Sequence, residues 1–414
     1  MTKETIQNLY KYLTNKTFTK PSNIVKVHTK QLEIGDLSFP LQIESWFAYI
    51  TEEKYRRCIL EATENPTQFI ANLIDESKHW SIPISSISLT SDRCFLKLKR
   101  DIAFSVGLNK VFQQREKYGY DVDCMQSVYI QRSPELFEPS VTDLRISIAT
   151  DVCKNFLSTL GCIIQESPDN CDLNIHFQRH NTKKDNSVKH ALCGVVSASG
   201  RKGFVDPSEF RDKRSLQMQL LAQHKYGIRF SLNLRSLLLC QELGEASVKF
   251  ELLQVKLSKP IVINIDNYVS CSSKGISFIL YNYARIVSMC ERFDENVSHS
   301  TYPVLSNLHN IDCELLSEDL EWEIFFCYIL RFPSVINDCV KDIKNGLFNP
   351  HYLCNFLSGL VGVFSVYYKN VRILAMNRGQ TSDLIHARIY LIKAIEIVLE
   401  NSFALLDITP ITRM

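Results

Sequence analysis

The sequence holds no apolar run approaching the roughly 20 residues that span a bilayer, so a membrane-spanning chain is not expected. Residues 1–20 are polar and lysine-bearing with no apolar core, which argues against a secretory leader. Fourteen cysteines include no Cys-x-x-Cys spacing. That pattern fits a reduced cytoplasmic compartment better than a disulfide framework. Cys162, Cys171, His176, His180 and Cys193 can be drawn together as a zinc site, but their spacing matches no standard finger, and no metal or other cofactor is expected. There is no Walker loop, no Gly-x-Ser-x-Gly, no His-Glu-x-x-His and no glycine-rich methyl-donor motif. Asp121 and Asp123 sit at strand spacing and read as loop residues, not as an acid/base dyad. Internal repeats and low-complexity tracts are also missing.

What remains is an ordinary globular composition, 45% hydrophobic and 22% charged over 414 residues, long enough for two or three domains with cores of their own. The net charge of +2 hides an uneven distribution. Between Gln178 and Arg235 there are 12 Lys or Arg against 4 Asp or Glu, and residues 1–30 hold 6 lysines against Glu4 alone. The rest of the chain is correspondingly acidic. Two basic clusters on a nearly neutral chain favour a polyanionic partner.

Three regions are expected. Residues 1–120 mix helix and strand: Asn65-Pro66 opens a helix through Phe69, Leu73 and Ile74, strands follow at Ser86–Leu89 and Cys94–Leu98, and Gln113–Tyr120 reads as a polar linker. Residues 121–252 read as α/β, with a strand at Ser127–Ile130, a loop, and a helix from about Asp143 to Leu160 closed by Gly161. Further strands are expected at Asp172–Phe177 and Leu192–Val196, and helices at Asp212–His224 and Asn233–Leu243. Residues 253–414 are all-α, with apolar stripes at Ile276–Met289, Glu318–Leu330 and Pro333–Ile343. Two terminal helices complete that bundle. Asn349-Pro350 starts the first, whose stripe runs Leu353, Phe356, Leu357, Leu360, Val361, Phe364, Tyr367 and Tyr368. The second begins near Ser382-Asp383.

The wording from Asn349 to Leu357, the Phe364–Tyr368 aromatic cluster and the Arg413-Met414 ending resemble the DALR anticodon-binding domain that closes arginyl-tRNA synthetases. Ala246–Phe250 and Lys274–Arg285 are similar to synthetase segments at the entry to that bundle. The resemblance implies a degenerate class I, Rossmann-like synthetase domain followed by an anticodon-binding helical bundle, with residues 1–120 in the place of the family's N-terminal additional domain. It also implies an RNA-facing set: Tyr281, Asn282, Arg285, His351, Asn355, Arg372, Arg388, Arg413 and Met414. Unstacked anticodon-loop bases are recognised by aromatic and guanidinium stacking.

The same resemblance demands a His-x-Gly-His loop at the ATP phosphates, where the glycine admits the nucleotide and the histidines donate to developing charge. At that register Ser140 and Asp143 replace the histidines and Thr142 the glycine, while Arg145 and Asp151 survive. A carboxylate about 4 Å from a phosphate charge costs on the order of 4 kcal/mol at an effective dielectric near ~20. Thr142 or Asp143 is instead a good helix N-cap. The second catalytic loop is represented by His190–Val196 and Ser199–Gly203, with Ala198 in place of a methionine and Arg201 and Lys202 left as phosphate contacts or solvated charges. A worn catalytic half beside a retained bundle implies a non-catalytic branch. Phe204–Arg211, Val248–Leu253 and Lys274–Arg285 resemble such a branch of the DALR-domain proteins. What that resemblance implies, beyond anything charge or periodicity shows, is a tRNA-binding partner of a 3-methylcytidine methyltransferase, presenting arginine tRNAs for modification. The alternatives are a divergent arginyl-tRNA synthetase and a protein-interaction scaffold.

Overall fold

A computed structural model describes residues 2–14, 24–47, 66–120, 126–131, 138–179, 188–199, 206–226, 234–265, 275–374 and 381–412. The chain divides into two compact units, each discontinuous in sequence. Among the described residues no helix is long and apolar enough to cross a membrane.

One unit comprises residues 1–113, 296–331 and 370–394. Helix α1 (Thr2–Thr14) precedes an antiparallel sheet of β1 (Lys26–Val27), β2 (Leu37–Pro40), β3 (Ile84–Leu89) and β4 (Arg93–Leu98), in the order β1-β2-β4-β3. Cys94, Leu96 and Leu98 alternate into the core from β4, the period of a strand with one buried face. Helix α2 (Pro66–Ser77) starts at the proline that the sequence marks, and α3 (Arg100–Gln114) follows β4. The stripe expected over Glu318–Leu330 is a short α8 (Asp319–Glu323) that widens into π geometry over Ile324–Ile329. Trp322 Nε1 donates to Asp36 Oδ1 at 2.8 Å, while Leu98 N donates to Asp36 Oδ2 at 2.8 Å. Burial pushes the Asp36 carboxyl up, against the pull of those two bonds.

The other unit comprises residues 114–295, 332–369 and 395–414. Its centre is a parallel sheet of β5 (Ser127–Gln131), β6 (Ile163–Gln165), β7 (Leu173–Gln178) and β8 (Val188–Leu192), in the order β6-β5-β7-β8. Helix α4 (Val141–Thr159) connects β5 to β6, and Gly161 closes it at φ +83°. The strand expected at Leu192–Val196 is interrupted. β8 ends at Leu192 and β9 (Val196–Ala198) pairs instead with β10 (Ile261–Ile263). The helices expected at 212–224 and 233–243 are longer, α5 (Pro207–Tyr226) and α6 (Leu234–Leu253), because they extend one another's packing as a hairpin. Helices α7 (Ile276–Ser298), α9 (Phe332–Val340), α10 (His351–Asn370) and the last part of α11 (Ser382–Leu405) make the all-α portion. Gln113–Tyr120 is no linker. Tyr118 is buried with its ring stacked on Phe332, and Asn401 Nδ2 donates to the carbonyls of Arg115 and Tyr118 at 3.0 Å each. Polar composition hid this, since the bonds that bury the segment come from residues nearly 300 positions away.

Arg145 is the central tie of this unit. The fifth residue of α4, it is fully buried, and among the described residues its guanidinium donates to backbone carbonyls alone: Leu252 (3.0 Å), Gly194 (2.9 Å), Lys259 (2.8 Å), Val255 (3.2 Å) and Lys256 (3.3 Å). The C-terminal carbonyls of α6 have no intrahelical donors and carry the negative end of its dipole, so a cation there satisfies both demands. Gly194 lies so close to the 259–260 backbone that a Cβ would sit 2.3 Å from the Lys259 carbonyl oxygen. Arg145→Met keeps most of the side-chain volume but strips five acceptors of their donor. It is expected to lower unfolding free energy by about 4 kcal/mol, and Gly194→Ala by about 1–3 kcal/mol, both read from urea denaturation.

Candidate nucleic-acid interface

In the order β6-β5-β7-β8 the chain leaves β5 to one side for β6 and to the other for β7, so the switch point lies between the C-terminal ends of β5 and β7. Open α/β sheets take ligands there, against the N-terminus of the helix that follows the first strand. Here that helix N-terminus is closed by its own side chains. Ser140 is the N-cap and Asp143 the N3 residue of a reciprocal capping box: Ser140 Oγ accepts from Asp143 N, while Asp143 Oδ2 accepts from Ser140 N at 2.8 Å. The cap is therefore Ser140, two or three residues earlier than the Thr142 or Asp143 read from the sequence. Arg179, the first residue beyond β7, pairs with Asp143 and also donates to Ser140 Oγ at 2.9 Å. Thr142 is buried, its Oγ1 accepting from Val196 N at 3.0 Å. Asp151 is exposed on α4. Desolvation is the largest single effect on the Asp143 carboxyl and pushes it up. The bonds from Ser140 and Arg179 together outweigh it and hold the group below its ordinary value.

The all-α portion offers a different surface. On α7 the half-buried Arg285 places its guanidinium carbon 4.7 Å from the Tyr281 ring centroid and 4.3 Å from that of Tyr368 on α10. Its Nη2 donates to Tyr281 Oη at 2.9 Å and its Nη1 to Asn282 Oδ1 at 3.2 Å. Two aromatic faces and a planar cation are thus held together, with Tyr368 41% exposed. Such a platform suits a splayed base, which stacks on either kind of plane. Sequence reading placed Tyr368 on the apolar stripe of its helix and left it out of the RNA-facing set. Its neighbour Tyr367 is the one that is fully buried. No spacing rule links positions 285 and 368, so only the meeting of α7 and α10 reveals the pair.

The other expected contacts disperse. His351 and Asn355 lie in the first turns of α10, roughly 25 and 20 Å along the helix from Tyr368 at about 1.5 Å per residue. Asn355 is exposed. His351 is half-buried beside Tyr352, and burial, with Lys256 and Lys259 nearby, lowers its imidazole pKa. Arg372 is exposed, and its carbonyl accepts from Arg388. Two residues of the set are corrected. Asn282 is fully buried and bonds back onto its own helix, donating to the Phe278 carbonyl at 2.9 Å. Arg388 is only 5% exposed, its Nε donating to Oε1 of the fully buried Glu321 at 2.8 Å. A buried carboxylate requires a buried cation, and a helix stripe does not say which basic residue will supply it. Tyr283 is core as well, donating to Glu400 Oε1 at 2.8 Å. Arg201, Lys202, Arg413 and Met414 lie outside the described residues, as do Asp121, Asp123 and His180. Among the described residues no group of three or more His, Cys, Asp or Glu is placed to hold a metal ion.

Residues 279–414 match the family model of the DALR anticodon binding domain. The chain is 25% identical over 247 residues to DALR anticodon-binding domain-containing protein 3 of Rattus norvegicus, which covers 58% of this chain and 46% of that one. With the Danio rerio protein of the same name the identity is 22% over 232 residues, 54% of this chain and 41% of that one. The chain therefore spans about half the length of the curated relatives it matches. It is also 31% identical over 169 residues to the arginine–tRNA ligase of Borrelia hermsii, 41% of this chain and 26% of the ligase. Among solved structures, the arginyl-tRNA synthetase of Plasmodium falciparum superposes with a TM-score of 0.66 at 12% identity, covering 100% of this chain and 98% of that one. The Thermus thermophilus enzyme gives 0.64 at 10% identity, covering 100% and 99%. The fold is that of arginyl-tRNA synthetases, with an α/β portion and a C-terminal DALR anticodon-binding domain.

Two measurements check the roles assigned to these side chains. Because the Asp143 pKa is depressed in the folded state, its contribution to stability is present above the ordinary value of 3.8 and is lost as pH falls through the lower folded value. The stability difference between the native protein and Asp143→Asn is expected to be constant above that pH and to shrink below it in urea titrations. Arg388→Ala removes the cation paired with the buried Glu321 carboxylate and is expected to cost about 3–5 kcal/mol of stability. The same denaturation assay, run beside RNA binding, separates that loss from any effect on a ligand.

Proposed function

We propose that this chain is a non-catalytic tRNA-binding protein that recognises arginine tRNAs through its DALR anticodon-binding domain and presents them to a partner methyltransferase for 3-methylcytidine formation. The single observation that supports it best is the contrast between the two surfaces. The helix N-terminus that would meet ATP phosphates carries the Asp143 carboxylate, bound by Ser140 and Arg179. The anticodon-binding helices keep an accessible stack of Tyr281, Arg285 and Tyr368. In this reading residues 1–120 stand in for the N-terminal additional domain, 121–252 for the worn synthetase core and 253–414 for the anticodon-binding bundle. The compartment is the cytoplasm. His351, Asn355 and Arg372 form a secondary set of RNA contacts, joined by Arg413, Met414, Arg201 and Lys202.

Titration of purified protein with arginine tRNAs tests the reading. Affinity is expected to fall with salt, each neutralised phosphate steepening the dependence by about 0.7–0.9 in the log–log slope. Arg285→Ala and Tyr368→Ala are each expected to weaken binding by about 1–3 kcal/mol while leaving the fold intact. Arginine-dependent ATP–pyrophosphate exchange is expected to be absent. Exchange activity would establish a divergent synthetase, and salt-insensitive or missing tRNA binding would leave only a protein scaffold.

A further inference from the structure

Arg285 sits between two tyrosine rings, its guanidinium carbon 4.7 Å from the Tyr281 centroid and 4.3 Å from that of Tyr368. Its two hydrogen bonds go to neutral acceptors, Tyr281 Oη and Asn282 Oδ1, and among the described residues it makes no ion pair. Nothing acidic lies close along either helix. α10 carries no Asp or Glu, and α7 carries none from Ile276 to Cys290. The first on α7, Glu291, comes six positions after Arg285 and about 120° away around the helix. Glu396 and Glu400 of α11 meet the opposite flank of α7, through Cys290 and Tyr283. Lys369, exposed next to Tyr368 in the chain, adds charge of the same sign as Arg285. The positive charge behind the exposed Tyr368 ring is therefore uncompensated by either helix.

That charge reverses an ordinary preference. An aromatic ring attracts a cation to either face through its quadrupole, so a bare tyrosine favours a positively charged base, by about two- to fivefold at an exposed site. Here one face of Tyr368 already holds a guanidinium. A base stacked on the other face lies about 3.5–4 Å beyond the ring, and so about 8 Å from the Arg285 charge. A neutral base meets only ring surface there and stacks freely. A base methylated on a ring nitrogen and cationic at neutral pH meets like charge. At that distance and an effective dielectric of about 20–40, the repulsion weakens binding by about five- to thirtyfold. Repulsion outweighs the attraction of the ring. We propose that the Tyr281–Arg285–Tyr368 stack selects by charge, accepting a neutral nucleobase and rejecting a cationic N-methylated one such as 3-methylcytosine. Such selection rests on the tRNA-binding reading above and adds a direction to it. A chain that presents unmodified tRNA for methylation loses its hold at this contact once the base there carries the methyl group and its charge.

The test measures binding of the full chain to anticodon stem-loop RNAs of arginine tRNA sequence. Cytidine, uridine, 3-methylcytidine or 3-methyluridine is placed at each loop position in turn. 3-Methyluridine carries the same methyl group on the same ring nitrogen without the charge, and the cytidine–uridine pair corrects for the exocyclic group. At the position whose base meets Tyr368, 3-methylcytidine is expected to bind at least about threefold more weakly than 3-methyluridine after that correction. Arg285→Lys, which keeps the charge, is expected to keep the penalty. Arg285→Gln is expected to abolish or invert it, even as overall affinity falls. Equal affinity for the two methylated RNAs at every position overturns the proposal and leaves tRNA recognition standing, since the unmodified RNA still binds. A penalty that survives Arg285→Gln also overturns it, because the charge being read then lies elsewhere. Loss of binding to every RNA, the unmodified one included, overturns the tRNA-binding reading and the proposal with it.

Discussion

The guanidinium of Arg145 holds together three stretches that are distant in sequence. Helix α4 supplies the cation, the end of α6 and the turn after it supply four carbonyls, and the loop at Gly194 supplies the fifth. Among the described residues no carboxylate pairs with it. The positive charge is solvated by peptide dipoles alone, and burial accordingly lowers its pKa from the ordinary arginine value. Moving any of the three stretches would leave either a buried cation or several buried carbonyls unpaired, so the position of α4 on the parallel sheet depends on the loop beyond α6. Lysine would not serve, because only the planar fork with five donors reaches so many carbonyls at once.

With α4 fixed in this way, the chemistry of its N-terminus follows from three side chains. Ser140, Asp143 and Arg179 meet at the switch point of the sheet, where backbone donors and the helix dipole attract an anion. The protein places its own carboxylate in that field, and the arginine next to β7 binds it from the other side. Helix capping and anion binding draw on the same unsatisfied N–H groups, so a site that becomes a capping box has fewer donors left for a phosphate. In the all-α portion the trade runs the other way. Arg285 has no carboxylate partner within its described contacts and is held by the Tyr281 hydroxyl and two ring faces, an arrangement that leaves π surface for a ligand.

Much of this was legible in the residues. Proline at 66 and at 350 marked helix starts within a residue or two, Gly161 marked a helix end, and the stripes of α7, α10 and α11 gave their burial. Those features are set by local backbone geometry and by a period of 3.6, and both are local properties of a chain. Ser140, Asp143 and Thr142 were read, on the resemblance to synthetases alone, as standing where two histidines and a glycine would be. The helix cap lies two or three residues earlier than expected, because the reciprocal bonds between Ser140 and Asp143 decide it.

The sequence by itself determined an α/β portion joined to a helical one and the helix pair that matches the anticodon-binding domain. Tertiary structure alone decided which polar residues are spent inside the fold. Arg388 and Asn282 carry the same side chains as surface RNA contacts would, yet one neutralises Glu321 and the other bonds its own helix. Tyr368, adjacent to a buried tyrosine, turned out to face Arg285 across 83 positions. A side chain's type fixes what it can bind, but whether it meets solvent or a buried partner depends on contacts between segments far apart in the chain. Neither periodicity nor composition contains those contacts.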